Sequence, residues 1–78
     1  MVTPEQIQSY IEQGLGCLEV RVAGDGEHFE ALIVSEAFRG KSRVQRHQLV
    51  YATLGERMRG EIHALSMRTL TPEEASNG

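Results

Sequence analysis

The sequence predicts an α+β domain in the order α-β-β-α-α-β, a three-stranded mixed sheet with helices on one face. Three observations carry this. Two capping boxes, Thr3 with Gln6 and Ser42 with Gln45, each open a helix. The apolar period changes to two after Gly16 and again after Gly60. A Gly24-Asp25-Gly26 turn is short enough to make the two stretches it joins antiparallel.

The first helix is expected over Pro4–Gln13, where Pro4 takes the favoured first position. Ile7, Tyr10 and Ile11 give it one apolar stripe, and Gly14 ends it. From Cys17 the chain alternates: Leu18, Val20 and Val22 share a buried face, while Glu19, Arg21 and Ala23 take the other. His28–Val34 is apolar on both faces from Phe29 onward apart from Glu30, which suits a central strand. Ser35–Phe38 makes a brief helical turn. The longest element is Ser42–Met58, and everything else is too thin to form a core without it. At about 100° per residue, Val44, His47, Val50, Tyr51, Leu54 and Met58 fall within an arc of roughly 120°. Gln45, Arg46, Leu49, Thr53 and Glu56 lie outside that arc, and Gly60 closes the run. A third strand runs from Ile62 to about Leu70, with Leu65 and Met67 opposite Ala64, Ser66 and Arg68. A crossover through helices makes strands two and three parallel. Thr71-Pro72-Glu73-Glu74 reads as the start of a last helix.

Seventy-eight residues allow one small domain that buries only about 60% of its unfolded-chain surface. No apolar run approaches the roughly 20 residues that span a bilayer, and the first residues lack the order of a signal peptide. A cytoplasmic protein with no membrane partner is expected. A single cysteine, Cys17, excludes an internal disulfide and a thiolate-only metal centre. The net charge of −3 is uneven. Arg39, Lys41, Arg43 and Arg46 form a basic knob with no acid among residues 39–46, on a body that is otherwise acidic. Gly40-Lys41-Ser42 before a helix is similar to an anion site, but the second glycine of a phosphate loop is missing upstream.

Catalysis has little to rest on. Asp25, Glu27 and His28 are polar neighbours on an open turn without an evident pocket, so an enzyme is not expected. The topology does, however, bring His28 and His63, at the openings of strands two and three, to the same edge of the sheet. Such a pair is an ordinary ligand set for zinc, iron or copper. The plainer alternatives are a solvated turn residue for His28 and a cap on the core for His63, whose parity matches Leu65 and Met67. His47, inside the apolar arc, reads as a structural imidazole bonded to backbone or water. Cys17 reads as an inert, partly buried thiol.

The run Ser35-Glu36-Ala37-Phe38-Arg39-Gly40-Lys41-Ser42-Arg43-Val44-Gln45-Arg46-His47-Gln48-Leu49-Val50-Tyr51 resembles the central motif of BolA-like proteins. Ile62-His63-Ala64-Leu65-Ser66-Met67, running into Leu70-Thr71-Pro72, does so as well. The Gly24-Asp25-Gly26-Glu27-His28-Phe29 turn is similar to that of the short-loop, acid-stress-linked bacterial subgroup. The resemblance implies a fold similar to class II KH domains. It also implies a non-enzymatic adaptor that pairs with a monothiol glutaredoxin to share and traffic a two-iron two-sulfur cluster, in iron homeostasis or stress response. The family's histidine before the last strand matches His63 as a ligand; the candidate for the second ligand, from the loop between strands one and two, is His28. The partner's cysteine and a glutathione thiolate complete the set. The arithmetic agrees, since one chain with one cysteine cannot supply four ligands but can supply two imidazoles. Relatives carry an aromatic residue where this chain has Ala75-Ser76-Asn77-Gly78, so the last helix is expected to be truncated or frayed. The free chain is expected to be a monomer or a weak homodimer.

The resemblance and the basic knob also imply an alternative, a nucleic-acid-binding transcriptional regulator that would contact DNA through Arg39, Lys41, Arg43 and Arg46. Neither a Gly-x-x-Gly clamp between the helices nor an aromatic stacking platform is visible for it.

Overall fold

The computed structural model describes residues 2–77. Three strands, β1 (Glu19–Gly24), β2 (His28–Val34) and β3 (Ala64–Leu70), form one mixed sheet in the order β1-β2-β3. β1 and β2 are antiparallel and β2 and β3 parallel, as the short turn and the helical crossover dictate. Four helices accompany them: α1 (Pro4–Gly14), α2 (Arg43–Leu54), α3 (Arg57–Gly60) and α4 (Pro72–Asn77).

Both capping boxes form. The Gln6 amide donates to Thr3 Oγ1 at 3.1 Å and the Thr3 amide to Gln6 Oε1 at 2.9 Å. Ser42 and Gln45 repeat the exchange at 3.2 and 2.9 Å. Each box satisfies amides that a helix start leaves open, which fixes where α1 and α2 begin. Ile7 and Ile11 of α1, Val20 of β1, Phe29, Ala31 and Ile33 of β2, and Val50 and Leu54 of α2 are buried in one core, with Phe38 and Ile62 beside them. α1 meets α2 where a Cβ on Gly14 would stand 2.8 Å from Thr53 Cγ2, so only glycine permits that approach. Ser35, fully buried, is satisfied on every side. Its hydroxyl donates to the Gly16 carbonyl and accepts from the Ala37 amide, while its own amide donates to the Leu70 carbonyl at 2.9 Å. The single 3₁₀ turn at Glu36–Phe38 is anchored there.

The structure corrects several expectations. The long helix does not run to Met58 and Gly60. It stops at Leu54, because Gly55 takes a positive φ of 55° and gives its amide to the Tyr51 carbonyl; the four-residue α3 follows. The buried face of α2 is also rotated from the expected arc. Val44 is 66% exposed and Tyr51 40%, whereas Leu49, placed outside the arc, packs against the core. The neighbours decide this. α1 presses on Thr53 through Gly14, and β3 engages Arg46, so the stripe 46-50-54 turns inward. β1 begins at Glu19 rather than Cys17, and Leu18 is 71% exposed instead of lying on the buried face. β3 begins at Ala64 rather than Ile62, although Ile62 is buried.

The last helix, expected to be truncated or frayed, is formed from Pro72 to Asn77. Thr71 and Glu74 exchange hydrogen bonds at its start, at 2.8 and 3.2 Å. Two ion pairs then fasten it: Arg39 to Glu73 and Arg46 to Glu74, both 2.7 Å. The Arg46 guanidinium, then the Thr71 amide, hold the Glu74 carboxyl down at about 2 against an ordinary 4.5; Arg39 lowers Glu73 in the same sense. A carboxyl whose folded pKa is depressed stabilises fully above its unfolded value and loses that contribution as pH falls toward the folded one. Between pH 4.5 and about 2, α4 is therefore expected to loosen before the sheet does. Amide exchange measured down that range should show the Ala75 amide losing protection while Ile33 keeps its own. Loss of both together would contradict this.

Candidate functional site

The hairpin between β1 and β2 is held by one side chain. Asp25 Oδ1 accepts from the amides of Glu27 and His28, each at 2.9 Å, and the Asp25 amide donates to the His28 carbonyl at 3.2 Å. Gly26, at φ 98°, supplies the one conformation in the turn that a side chain would resist. The two amide hydrogen bonds keep the Asp25 carboxyl below its ordinary value.

Beside this turn the parallel register sets His28 against Ala64, which makes His63 the residue just before β3 at the same edge. Both histidines are exposed. They share an edge but not a face. In β2, Phe29, Ala31 and Ile33 are buried under the helices, so His28 falls with Glu30 and Leu32 on the open face. His63 has the parity of Leu65 and Met67, on the helix-bearing side. There it lines an open groove of about 510 Å³ with Val2, Gln6, Tyr10, Glu27 and Glu61. The Arg57 guanidinium lies 3.8 Å over the Tyr10 ring, fastening α3 to α1 beside that groove. The α1 wall and Glu61 were not placed at a site from sequence, whereas Glu27 was grouped with Asp25 and His28 on the turn. Tyr10 carried a signal in its place on the α1 stripe; Glu61 carried none.

Among the described residues, no group of three or more His, Cys, Asp or Glu stands close enough to hold a metal. Cys17 adds nothing: its thiol donates to the Leu15 carbonyl at 3.2 Å, and burial, then the charge of Glu12, pushes its pKa up. The chain can offer an incoming metal an exposed imidazole or two, and no complete shell.

His47 is half-buried, and among the described residues its Nε2 has no hydrogen-bond partner. The basic knob is largely engaged. Arg39 is shared between Glu36 and Glu73. The Arg46 side chain, 13% exposed, donates to the Lys41 and Thr69 carbonyls as well as to Glu74. Among the described residues, only Lys41 and Arg43 of the four lack an ion pair, and both are exposed.

Comparison with known proteins places these features in a family. The profile described as BolA-like protein matches residues 8–74. The acid stress protein IbaG of Escherichia coli (strain K12) is 44% identical over 70 residues, covering 88% of this chain and 83% of that protein. The DNA-binding transcriptional regulator BolA of Haemophilus influenzae is 45% identical over 51 residues, 65% of this chain and 50% of that one. Among solved structures, a bolA protein homologue from Coxiella burnetii matches with a TM-score of 0.85 at 47% identity, covering 97% of this chain and 99% of that one.

Proposed function

The chain belongs to the BolA-like protein family, and from that premise we propose that it is a non-enzymatic adaptor that, with a monothiol glutaredoxin, holds and passes on a two-iron two-sulfur cluster. The supporting observation is the state of His63. It is exposed, stands just before β3 beside an ordered turn, and faces a groove, and the described residues hold no complete metal shell of their own. A cluster of this kind needs four ligands and tolerates two histidines on one iron. His63 is the primary ligand in this reading. His28, one strand away at the same edge but with the opposite parity, is the second. The remaining two come from the partner's cysteine and from a glutathione thiolate. When bound, the cluster supplies the iron; this chain's part is to present neutral imidazoles, with the Asp25 clamp fixing the backbone beside them. The stress response and iron homeostasis are the settings in which such an adaptor acts, and the cytoplasm is its proposed location. Among the described residues no helix is long and apolar enough to cross a membrane.

The test is cluster reconstitution with a monothiol glutaredoxin, glutathione, iron and sulfide. The mixture with this chain should give a visible circular dichroism spectrum distinct from that of glutaredoxin alone. His63→Ala should erase the difference without changing the far-ultraviolet spectrum, since an exposed residue outside the strand is being trimmed. His28→Ala should shift the spectrum without abolishing it. A His63→Ala mixture indistinguishable from wild type would remove that residue from the site. The nucleic-acid alternative has less support, because two of its four basic residues are committed to ion pairs within the fold.

A further inference from the structure

The sheet has two outer edges, and they differ. On β3 the Thr69 carbonyl is occupied, accepting from Arg46 at 3.0 Å. β1 carries no such cover, and the hairpin fixes which of its backbone groups face outward. The Asp25 amide donates to His28 in the same register as the pairs from Glu19↔Val34 to Gly24↔Phe29. Hydrogen-bonded pairs alternate along an antiparallel ladder, so Glu19, Arg21 and Ala23 turn their backbone groups toward β2, and Val20 and Val22 turn theirs away. Among the described residues neither valine's backbone has a hydrogen-bond partner beyond the sheet; their side chains pack toward the core, Val20 being 7% exposed.

We propose that this edge pairs antiparallel with the same edge of a second copy of the chain, centred on Val20. Charge selects the register. Outward residues must meet outward residues, and three two-fold arrangements set one of these valines against another. Centring on Val22 sets Glu19 against Asp25 of the other copy, and centring between the valines sets Arg21 against Arg21; both oppose like charges. Centring on Val20 sets Glu19 against Arg21 and Arg21 against Glu19. These two residues already form an ion pair on the open face and are exposed enough to share it. The same register places Leu18, 71% exposed, opposite Val22. Leu18 gives its amide to the Val34 carbonyl, so it adds no backbone pair there. The product is a continuous six-stranded sheet, isologous and closed, because the edges left over belong to β3, where Arg46 is already seated. The histidine-bearing rim takes no part, so this inference stands apart from the cluster reading.

Sedimentation from micromolar to millimolar concentration, paired with amide exchange, tests it. A monomer–dimer equilibrium is expected, with the Val20 amide gaining protection as the dimer forms. Arg21→Glu should weaken the dimer by about tenfold or more, since it turns two symmetry-related cross-strand attractions into repulsions. Adding Glu19→Arg should restore it, and Arg68→Glu, on the same face but at the far edge, should leave it unchanged. A chain that stays monomeric at millimolar concentration overturns the proposal. So does a dimer that leaves the Val20 amide unprotected, that Arg21→Glu does not weaken, that the paired reversal does not rescue, or that Arg68→Glu weakens equally.

Discussion

Replacing Phe38 by alanine should remove a large share of the chain's stability. Phe38 is fully buried, and it closes the 3₁₀ turn on Ser35 ahead of α2, with the Arg46 guanidinium 5.9 Å from its ring centroid. Removing a buried phenyl ring costs about 3–5 kcal/mol in transfer free energy and cavity. A domain of this length has only ~4–12 kcal/mol in total. The core has few other large side chains to close around the hole. Urea denaturation followed by circular dichroism should show the midpoint collapsing for Phe38→Ala, and Phe38→Leu retaining much of it. A Phe38→Ala midpoint equal to wild type would mean that the turn is peripheral to the core.

Arg46→Ala should be the most damaging change within the basic segment. It removes the donor from the Thr69 and Lys41 carbonyls and the partner from Glu74 in one step. Leaving a partly buried carbonyl without a donor costs ~1–3 kcal/mol. Arg46→Lys should recover little, since a point charge cannot span two carbonyls and a carboxylate as the guanidinium fork does. The sharper readout is acid titration. Without Arg46 the Glu74 pKa rises toward its ordinary value, and the loosening of α4 between pH 4.5 and about 2 should move to higher pH. An unchanged acid profile in Arg46→Ala would detach the ion pair from α4. Arg43→Ala, at an exposed residue with no ion pair, should alter neither measurement.

What could be read from sequence follows from range. Thr3, Gln6, Ser42 and Gln45 act on amides within a turn of themselves, so both helix starts were legible. The Gly24-Asp25-Gly26 turn and the apolar run in His28–Val34 were legible for the same reason, and topology then carried His28 and His63 to one edge. The rotation of α2 was not legible. Val44 and Tyr51 are as apolar as Leu49, and which of them turns inward depends on Gly14 and Thr69, far away in the chain. Arg46 was misread likewise. In sequence it is one of four clustered cations; in the fold it meets Glu74, a residue counted on the other side of the charge ledger. Gly60 was read as the stop and Gly55 was passed over; the positive φ that ends α2 belongs to Gly55. The opposite parity of the two histidines was implicit in the strand pattern, since Phe29 and Leu65 are register partners.

A loop that gathers a ligand usually gives up conformational freedom when it does so, and that loss is subtracted from affinity. The Asp25 carboxylate has already taken it: by receiving the amides of Glu27 and His28 it has frozen this corner before anything arrives. Whatever seats at the rim meets a preorganised backbone, and its grip depends on side-chain chemistry alone. Exchanging that one aspartate for alanine would make the corner pliant and reintroduce the entropic toll, while every residue that could touch the guest stayed in place.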